Sequence, residues 1–216
     1  MKRLRMKEHG TDGLLITVCG LDGCGKSTMI HKLKDWLVVN GREVFLTKQP
    51  TDLVRQSDMF RTYMDHVDHT GYDYRSLSLL AASDRVQHAN RVIMPALQNG
   101  NVVISDRYLY SCLANLRARG YEKDRWIYEI ARAIPKPDIA FFLDLPVSIA
   151  LGRVRERPEE KDRYIDLDLQ YRLRNEYLDI CRQNGGICLS SREDAEQTFA
   201  NMKRYIEQIW EENDYE

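Results

Sequence analysis

A chain of 216 residues suits one globular domain with a substantial core. Hydrophobic residues at 43% and charged residues at 30% exclude global disorder. With 32 Lys+Arg against 33 Asp+Glu the formal charge is −1, which excludes a bulk electrostatic pull toward nucleic acid or an anionic membrane.

The chain opens on a basic stretch, residues 1–12, with no apolar signal core behind it. It reads as a solvated tail, with a nucleic-acid arm as the alternative, ahead of a single domain over 13–216. Residues 14–19 (LLITVC) read as a buried strand. A helix follows over 26–40, with Ile30, Leu33 and Leu37 on one stripe and Asn40-Gly41 as its stop. A second strand over 43–47 is closed by Pro50, and 52–64 reads as one helix before a polar loop at 66–73. The pattern predicts a long helix over 74–98 with a kink near Pro95. After it come a third strand at 101–105, helices at 109–119 and 124–133, and a fourth strand at 139–145. Helices at 147–156 and 167–183, a short strand at 187–189 and a last helix at 192–210 complete the chain. Apolar strands alternating with helices mean an α/β fold whose parallel sheet is covered on both faces. No apolar run approaches bilayer-spanning length. The five cysteines (Cys19, Cys24, Cys112, Cys181, Cys188) form neither a disulfide framework nor a CxxC zinc pattern, which fits a reducing cytoplasm.

The sequence GLDGCGKST at 20–28 fits G-x-x-x-x-G-K-[ST] in full. It lies where the physics requires, after a buried strand and opening a helix. Glycines let the backbone wrap phosphates closely, and the helix N-terminus adds partial positive charge. Gly20, Gly23, Cys24, Gly25, Lys26, Ser27 and Thr28 are therefore the expected nucleotide grip. Lys26 reaches the β and γ phosphates and Ser27 is a Mg²⁺ ligand. The third strand runs into Ser105-Asp106-Arg107-Tyr108. Strand carboxyl ends carry the ligands of parallel sheets, so Asp106 is a candidate to hold Mg²⁺ through water and Arg107 to clamp a phosphate. The basic cluster Arg153, Arg155, Arg157, Lys161 and Arg163, around Pro158, reads as a mobile lid over about 153–165 that brings positive charge and excludes water.

These motifs together resemble the thymidylate kinase family of nucleoside monophosphate kinases. The residues carrying the resemblance are GLDGCGKST (20–28), LTKQPT (46–51), AASDRVQHANRVIMPAL (81–97), VVISDRYLYSCLA (102–114), KPDIAFFLDLPVSIALGRVRER (136–157) and LSSRE (189–193). The resemblance implies a P-loop three-layer α/β/α fold with five parallel strands in 2-3-1-4-5 order. It also implies ATP and Mg²⁺ as partners and a helix-mediated homodimer. Carried over by position, Asp22 matches the carboxylate that orients the acceptor sugar and its arginine clamp. Arg107 matches the acceptor-phosphate arginine, with Arg55 a looser second. Arg85 matches the arginine that reads the thymine edge. Arg153 and Arg157 match the catalytic lid arginines of the subclass whose P-loop lacks a basic residue, as here at Asp22, Gly23 and Cys24. Arg192 resembles the residue that lies against adenine.

The departures fall on the base side. Ala81 stands where the family has an aromatic that stacks on thymine. The family's S-x-x-A-Y-Q run is Ser111-Cys112-Leu113-Ala114-Asn115-Leu116, so the sugar-side tyrosine is Asn115. The expected acceptor pocket is thus Asp22, Arg55, Ala81, Arg85, Arg107, Cys112 and Asn115, with Tyr63, Tyr72, Tyr74, Tyr108 and Tyr110 lining its side as replacements for the missing ring. The implied reaction is ATP-dependent phosphorylation of a nucleoside monophosphate, dTMP before others. A deoxynucleoside kinase, a kinase for another small phosphate acceptor, and an ATP-responsive interaction protein without turnover remain alternatives. A hydroxyl acceptor benefits from a carboxylate base, and Gln49 occupies the place where the deoxynucleoside kinases carry one.

Overall fold

The computed structural model describes residues 3–66, 68–69, 71–161, 164–192 and 194–213. Strands β1 (Leu14–Gly20), β2 (Val44–Lys48), β3 (Val102–Asp106), β4 (Ile139–Asp144) and β5 (Ile187–Ser190) form one parallel sheet in the order β2-β3-β1-β4-β5. Every residue of the central β1 is buried, as expected where both faces of a strand are covered. Alternate residues serve opposite faces. Leu15 and Cys19 join the core formed with Ile93, Leu97, Leu113 and Ile180. Leu14, Ile16 and Val18 join the other, with Leu33, Leu37 and Ile206. The first layer contains α4 (Tyr74–His88), α5 (Met94–Gln98), α6 (Leu109–Ala118), α7 (Trp126–Ile130) and α9 (Leu167–Asn184). The second contains α1 (Lys26–Val39), α8 (Val147–Arg155) and α10 (Ala195–Asn213). Leu33 and Leu37 on the α1 stripe are completely buried, a gain of roughly 1.5–3 kcal/mol each from burial.

Three expectations need correction. The helix read over 52–64 is two, α2 (Asp52–Arg55) and α3 (Asp58–Asp65). Ser57 divides them: its hydroxyl donates back to Val54 O at 2.7 Å and accepts the Phe60 N–H at 3.2 Å, ending one helix and capping the next. The long helix over 74–98 is interrupted by a π-turn at Ala89–Ile93, in which the Met94 N–H reaches Ala89 O. That widened turn stands just before Pro95, whose ring would press on the carbonyl four residues back in a regular helix.

The third correction concerns the N-terminal stretch, which is docked on the body from residue 3 onward; Met1 and Lys2 lie outside the described residues. Leu4 is buried and Met6, two residues on in extended chain, packs against the same core. The Leu4 N–H meets Asn184 Oδ1 at 2.9 Å. Lys7 pairs parallel to Pro135, with Lys7 N to Ile134 O at 3.0 Å and Lys136 N to Lys7 O at 2.7 Å. His9 Nε2 lies 2.9 Å from Asp138 Oδ2, the same oxygen that accepts the Leu15 N–H at 2.7 Å. The hydrogen bond to Asp138 raises the His9 pKa against the opposing effect of burial. A charge count shows a basic tail; it does not show the alternating apolar pair that fastens it.

Candidate active site

The loop between β1 and α1 turns tightly. Gly23 has φ 81°, and a Cβ there would stand 2.2 Å from the Ala150 carbonyl oxygen, so only glycine fits. Gly25 caps α1 without a side-chain hydrogen bond, and no acidic residue lies in the first turn. The helix therefore keeps its N-terminal donors and partial positive charge for a ligand. Lys26 is buried and folds back over the loop, its Nζ 2.6 Å from Leu21 O and 3.2 Å from Gly20 O. Ser27 and Thr28 are exposed at the helix opening.

β3 lies beside β1 with Asp106 in register with Val18, which brings its carboxyl end to the loop. Arg107 sits in left-handed backbone at φ 68°, unusual for a residue with a side chain. Its guanidinium is held on three sides: Nη2 to Asp22 Oδ1 at 2.6 Å, Nη1 to Tyr177 Oη at 2.9 Å and to Gly20 O at 3.2 Å. Burial opposes its charge, but Tyr177, Asp22 and Asp106 outweigh it and the pKa moves up. Burial pushes the Tyr177 hydroxyl up to about 12, so it stays neutral and accepts from the arginine. Asp106 is buried; one oxygen lies 3.5 Å from Lys48 Nζ and the other, Oδ1, has no hydrogen-bond partner. Sequence reasoning missed Tyr177 and Lys48. Tyr177 stands 70 residues from Arg107, and no local pattern marks a helical tyrosine as a partner of a strand-end arginine.

On the base side, Ala81 and Arg85 lie on one face of α4, and Arg85 Nη1 donates to Ala81 O at 2.8 Å while its Nε is buried without a partner. Cys112 is buried against the same helix, its Sγ 3.8 Å from Ser78 O. The gap left by Ala81 is not empty. Ala81, Val54 and Leu77 form a small core packed by Phe60, Tyr63 and Tyr74. Tyr63 meets Tyr74 edge-on at 5.2 Å, and the Arg119 guanidinium lies 4.1 Å over the Tyr74 ring. Asn115 turns toward this cluster, its Oδ1 accepting from Arg119 at 2.8 Å and its Nδ2 donating to Ser111 O at 2.9 Å. Tyr108 and Tyr110, expected beside the acceptor, belong instead to the main core. The Tyr108 hydroxyl donates to Pro135 O at 2.6 Å and Tyr110 packs on Phe142. Residue 108 is the N-cap of α6, and both rings are buried in the larger core of the sheet. Gln49 follows β2; it is completely buried and both its amide atoms lack partners.

The lid candidates stand apart from this cluster. Arg153 Nη2 approaches Ser191 O at 3.4 Å, Arg155 bonds to Lys161 O, and Arg157 is exposed ahead of a single 3₁₀ turn at Pro158–Glu160. Asp162, Arg163 and Glu193 lie outside the described residues. Arg55 is half-buried in the last turn of α2, and Arg192 is exposed beyond β5. The structure thus joins Asp22, Lys26, Asp106 and Arg107 in one cluster and Ala81, Arg85 and Cys112 in a second.

The family model described as Thymidylate kinase matches residues 18–206. A probable thymidylate kinase of Thermococcus kodakarensis is 35% identical over 202 residues, covering 91% of this chain and 98% of the relative. One from Pyrococcus horikoshii is 38% identical over 170 residues, covering 78% and 82% respectively. A thymidylate kinase of Bifidobacterium longum subsp. infantis is 31% identical over 209 residues, 93% of this chain and 89% of its own. With a phosphate loop, a strand-end Asp-Arg pair and a 2-3-1-4-5 sheet already in hand, these matches over most of the chain mean that it belongs to the thymidylate kinase family.

Proposed function

We propose that this enzyme transfers the γ-phosphoryl group of ATP to dTMP, giving ADP and dTDP. The observation that carries the reading is the Asp22–Arg107–Tyr177 cluster beside Lys26. It presents a fixed cation for an acceptor phosphate next to a loop built for a donor phosphate. The loop amides and the α1 N-terminus take the β and γ phosphates. Lys26 Nζ exchanges its carbonyl contacts with Gly20 and Leu21 for phosphate oxygens. Arg107, with Arg55, holds the acceptor phosphate, and Asp22 keeps the guanidinium aimed. The acceptor oxygen of a monophosphate is already anionic, so positioning and charge neutralisation suffice. A nucleoside hydroxyl would call for a base, and the residue after β2 is the amide Gln49, which cannot take a proton near neutral pH.

Hard oxygen ligands suit Mg²⁺, and the exposed Ser27 hydroxyl with the unpartnered Asp106 Oδ1 fits that need. When bound, the ion would neutralise charge on the donor phosphates. Arg153 and Arg157 swing with the 153–165 lid to cover the transferring group and exclude water. Arg192 lies against adenine. Arg85, Ala81, Cys112 and Asn115 form the thymine and sugar side. We read the enzyme as a cytoplasmic homodimer. Its cysteines are all free thiols, which suits a reducing compartment, and the exposed Leu53 on α2 and Leu79 on α4 are the helical apolar side chains we assign to contact with a second copy.

A coupled ADP-release assay across nucleoside monophosphates and nucleosides tests the reaction. The expected order is dTMP first, other pyrimidine monophosphates behind it, and nucleosides inert. Turnover of thymidine with none of dTMP would overturn the reading. Sedimentation of the purified protein tests the dimer.

A further inference from the structure

Two thiols meet beside the phosphate cluster. α9 ends at Asn184 with Gly185 in left-handed backbone, and the Gly186 N–H returns to Cys181 O at 2.9 Å. This tight reversal brings Cys188, second residue of β5, back alongside the last turn of α9 that carries Cys181, close enough for each thiol to perturb the other's titration. Cys181 is buried and Cys188 is exposed. Cys188 also lines a small cavity together with Gly20 and Leu21 of the phosphate loop and with Arg174, Tyr177 and Leu178 of α9. Tyr177 lies one helical turn before Cys181 and holds Arg107 through its hydroxyl.

We propose that Cys188 and Cys181 form a thiol–disulfide switch that acts on Arg107 through Tyr177. The oxidant is a small soluble disulfide of the glutathione type. Cys188 loses its proton to solvent and its sulfur attacks one sulfur of the oxidant, breaking that S–S bond. One thiol leaves, and a mixed disulfide remains on Cys188. Cys181 then gives up its proton, its sulfur attacks the Cys188 sulfur, and the second small thiol leaves. Two protein thiols are oxidised by two electrons, and one disulfide is reduced to two thiols. The order follows from access: the exposed sulfur meets the oxidant and the buried one resolves it. The neighbouring Cys181 thiol lowers the Cys188 pKa, with Arg174 and Arg182 adding to it. Drawing the two sulfurs to covalent distance pulls the last turn of α9 toward β5. Tyr177 moves with that turn and its bond to Arg107 weakens.

Trypsin cuts after Arg182, between the two cysteines, so the product is readable directly. After treatment of the native protein with oxidised glutathione, a non-reducing map is expected to contain peptides 175–182 and 183–192 joined and two hydrogens lighter than their sum. Amide exchange across 105–110 is expected to rise severalfold, and turnover to fall severalfold and recover with dithiothreitol. Cys188→Ser is expected to show none of these changes and to keep basal turnover. A stable glutathione adduct on Cys188 with Cys181 still a thiol would overturn the proposal. So would joined peptides with unchanged exchange. Exchange needs no turnover, so a protein inert toward every phosphate acceptor would sink the proposed reaction and leave this switch still readable.

Discussion

The two ends of the sheet differ in how completely their buried polar groups are paired, although Asp144 at the carboxyl end of β4 is closed by Arg174. At the carboxyl ends of the strands, Asp106 Oδ1, the Gln49 amide and Arg85 Nε are buried without partners, and Arg107 is held in left-handed backbone. At the amino ends, Asp138 alone receives the Leu15 N–H and His9, Lys7 pairs with its neighbours across Pro135, and the Tyr108 hydroxyl bonds to Pro135 O. A buried polar atom without a partner costs about 1–3 kcal/mol. Such an atom calls for a structural or functional explanation, and a bound ligand is one that would supply the missing partner. The closed bonds at the other end supply the stability against which that cost is set.

Substitutions at the carboxyl end are therefore expected to change chemistry, and those at the amino end to change stability. The largest effect is expected from Lys26→Ala, a loss of kcat of roughly 10³-fold or more with the melting temperature nearly kept. Near-normal turnover in the folded variant would break the comparison at its strongest point. Next, Arg107→Ala is expected to lower acceptor kcat/KM by about 10²-fold while ATP affinity holds within about twofold. Parallel steady-state and equilibrium ATP titrations separate the two, and a fall in ATP affinity alone would put the arginine on the wrong substrate.

Ala81→Phe sharpens the comparison inside the carboxyl end. The tyrosine cluster already fills that space, so the new ring is expected to cost about 1–3 kcal/mol of stability and to raise the acceptor KM. A tighter dTMP KM in this variant would mean that the space is open to a base.

The smallest effect belongs to the amino end. The His9 pKa is raised above 6.5 by Asp138, so its contribution is full below that value and fades as pH rises through the folded pKa. His9→Ala should lower stability by about 1 kcal/mol or less at acid pH and by progressively less in alkali, with kcat unchanged. Thermal melts across pH measure the trend. A deficit that grows with pH would contradict the sign.

Legibility followed the range of the interaction. The phosphate loop was readable because glycines, lysine, strand and helix lie within one short stretch, and the sheet because each strand announces itself as an apolar run. Asp106 and Arg107 were readable because a strand end has a known side. Tyr177 and Lys48 were not, since each meets its partner only after the chain has crossed the molecule. The fate of the Ala81 gap was open for the same reason: Tyr63 and Tyr74 were named, but a sequence does not orient rings. The split at Ser57 rests on one serine whose hydroxyl bonds both ways, and a lone serine within 52–64 does not by itself mark a boundary.

The π-turn at Ala89–Ile93 has a consequence for how this helix can be altered. Ser78 and Ala96 are 18 residues apart, which in an uninterrupted α-helix is five whole turns, so they would face the same way. The widened turn lags the second segment by about a quarter turn. The first segment thereby turns Ser78 toward Cys112 of α6 and Ala81 into the small tyrosine-packed core, while Ala96 and Leu97 join the main core. The turn is in effect one surplus residue absorbed without breaking the rod. Deleting a residue there would restore regular phase and set one face or the other wrong, so this is a stretch in which length, more than composition, is under constraint.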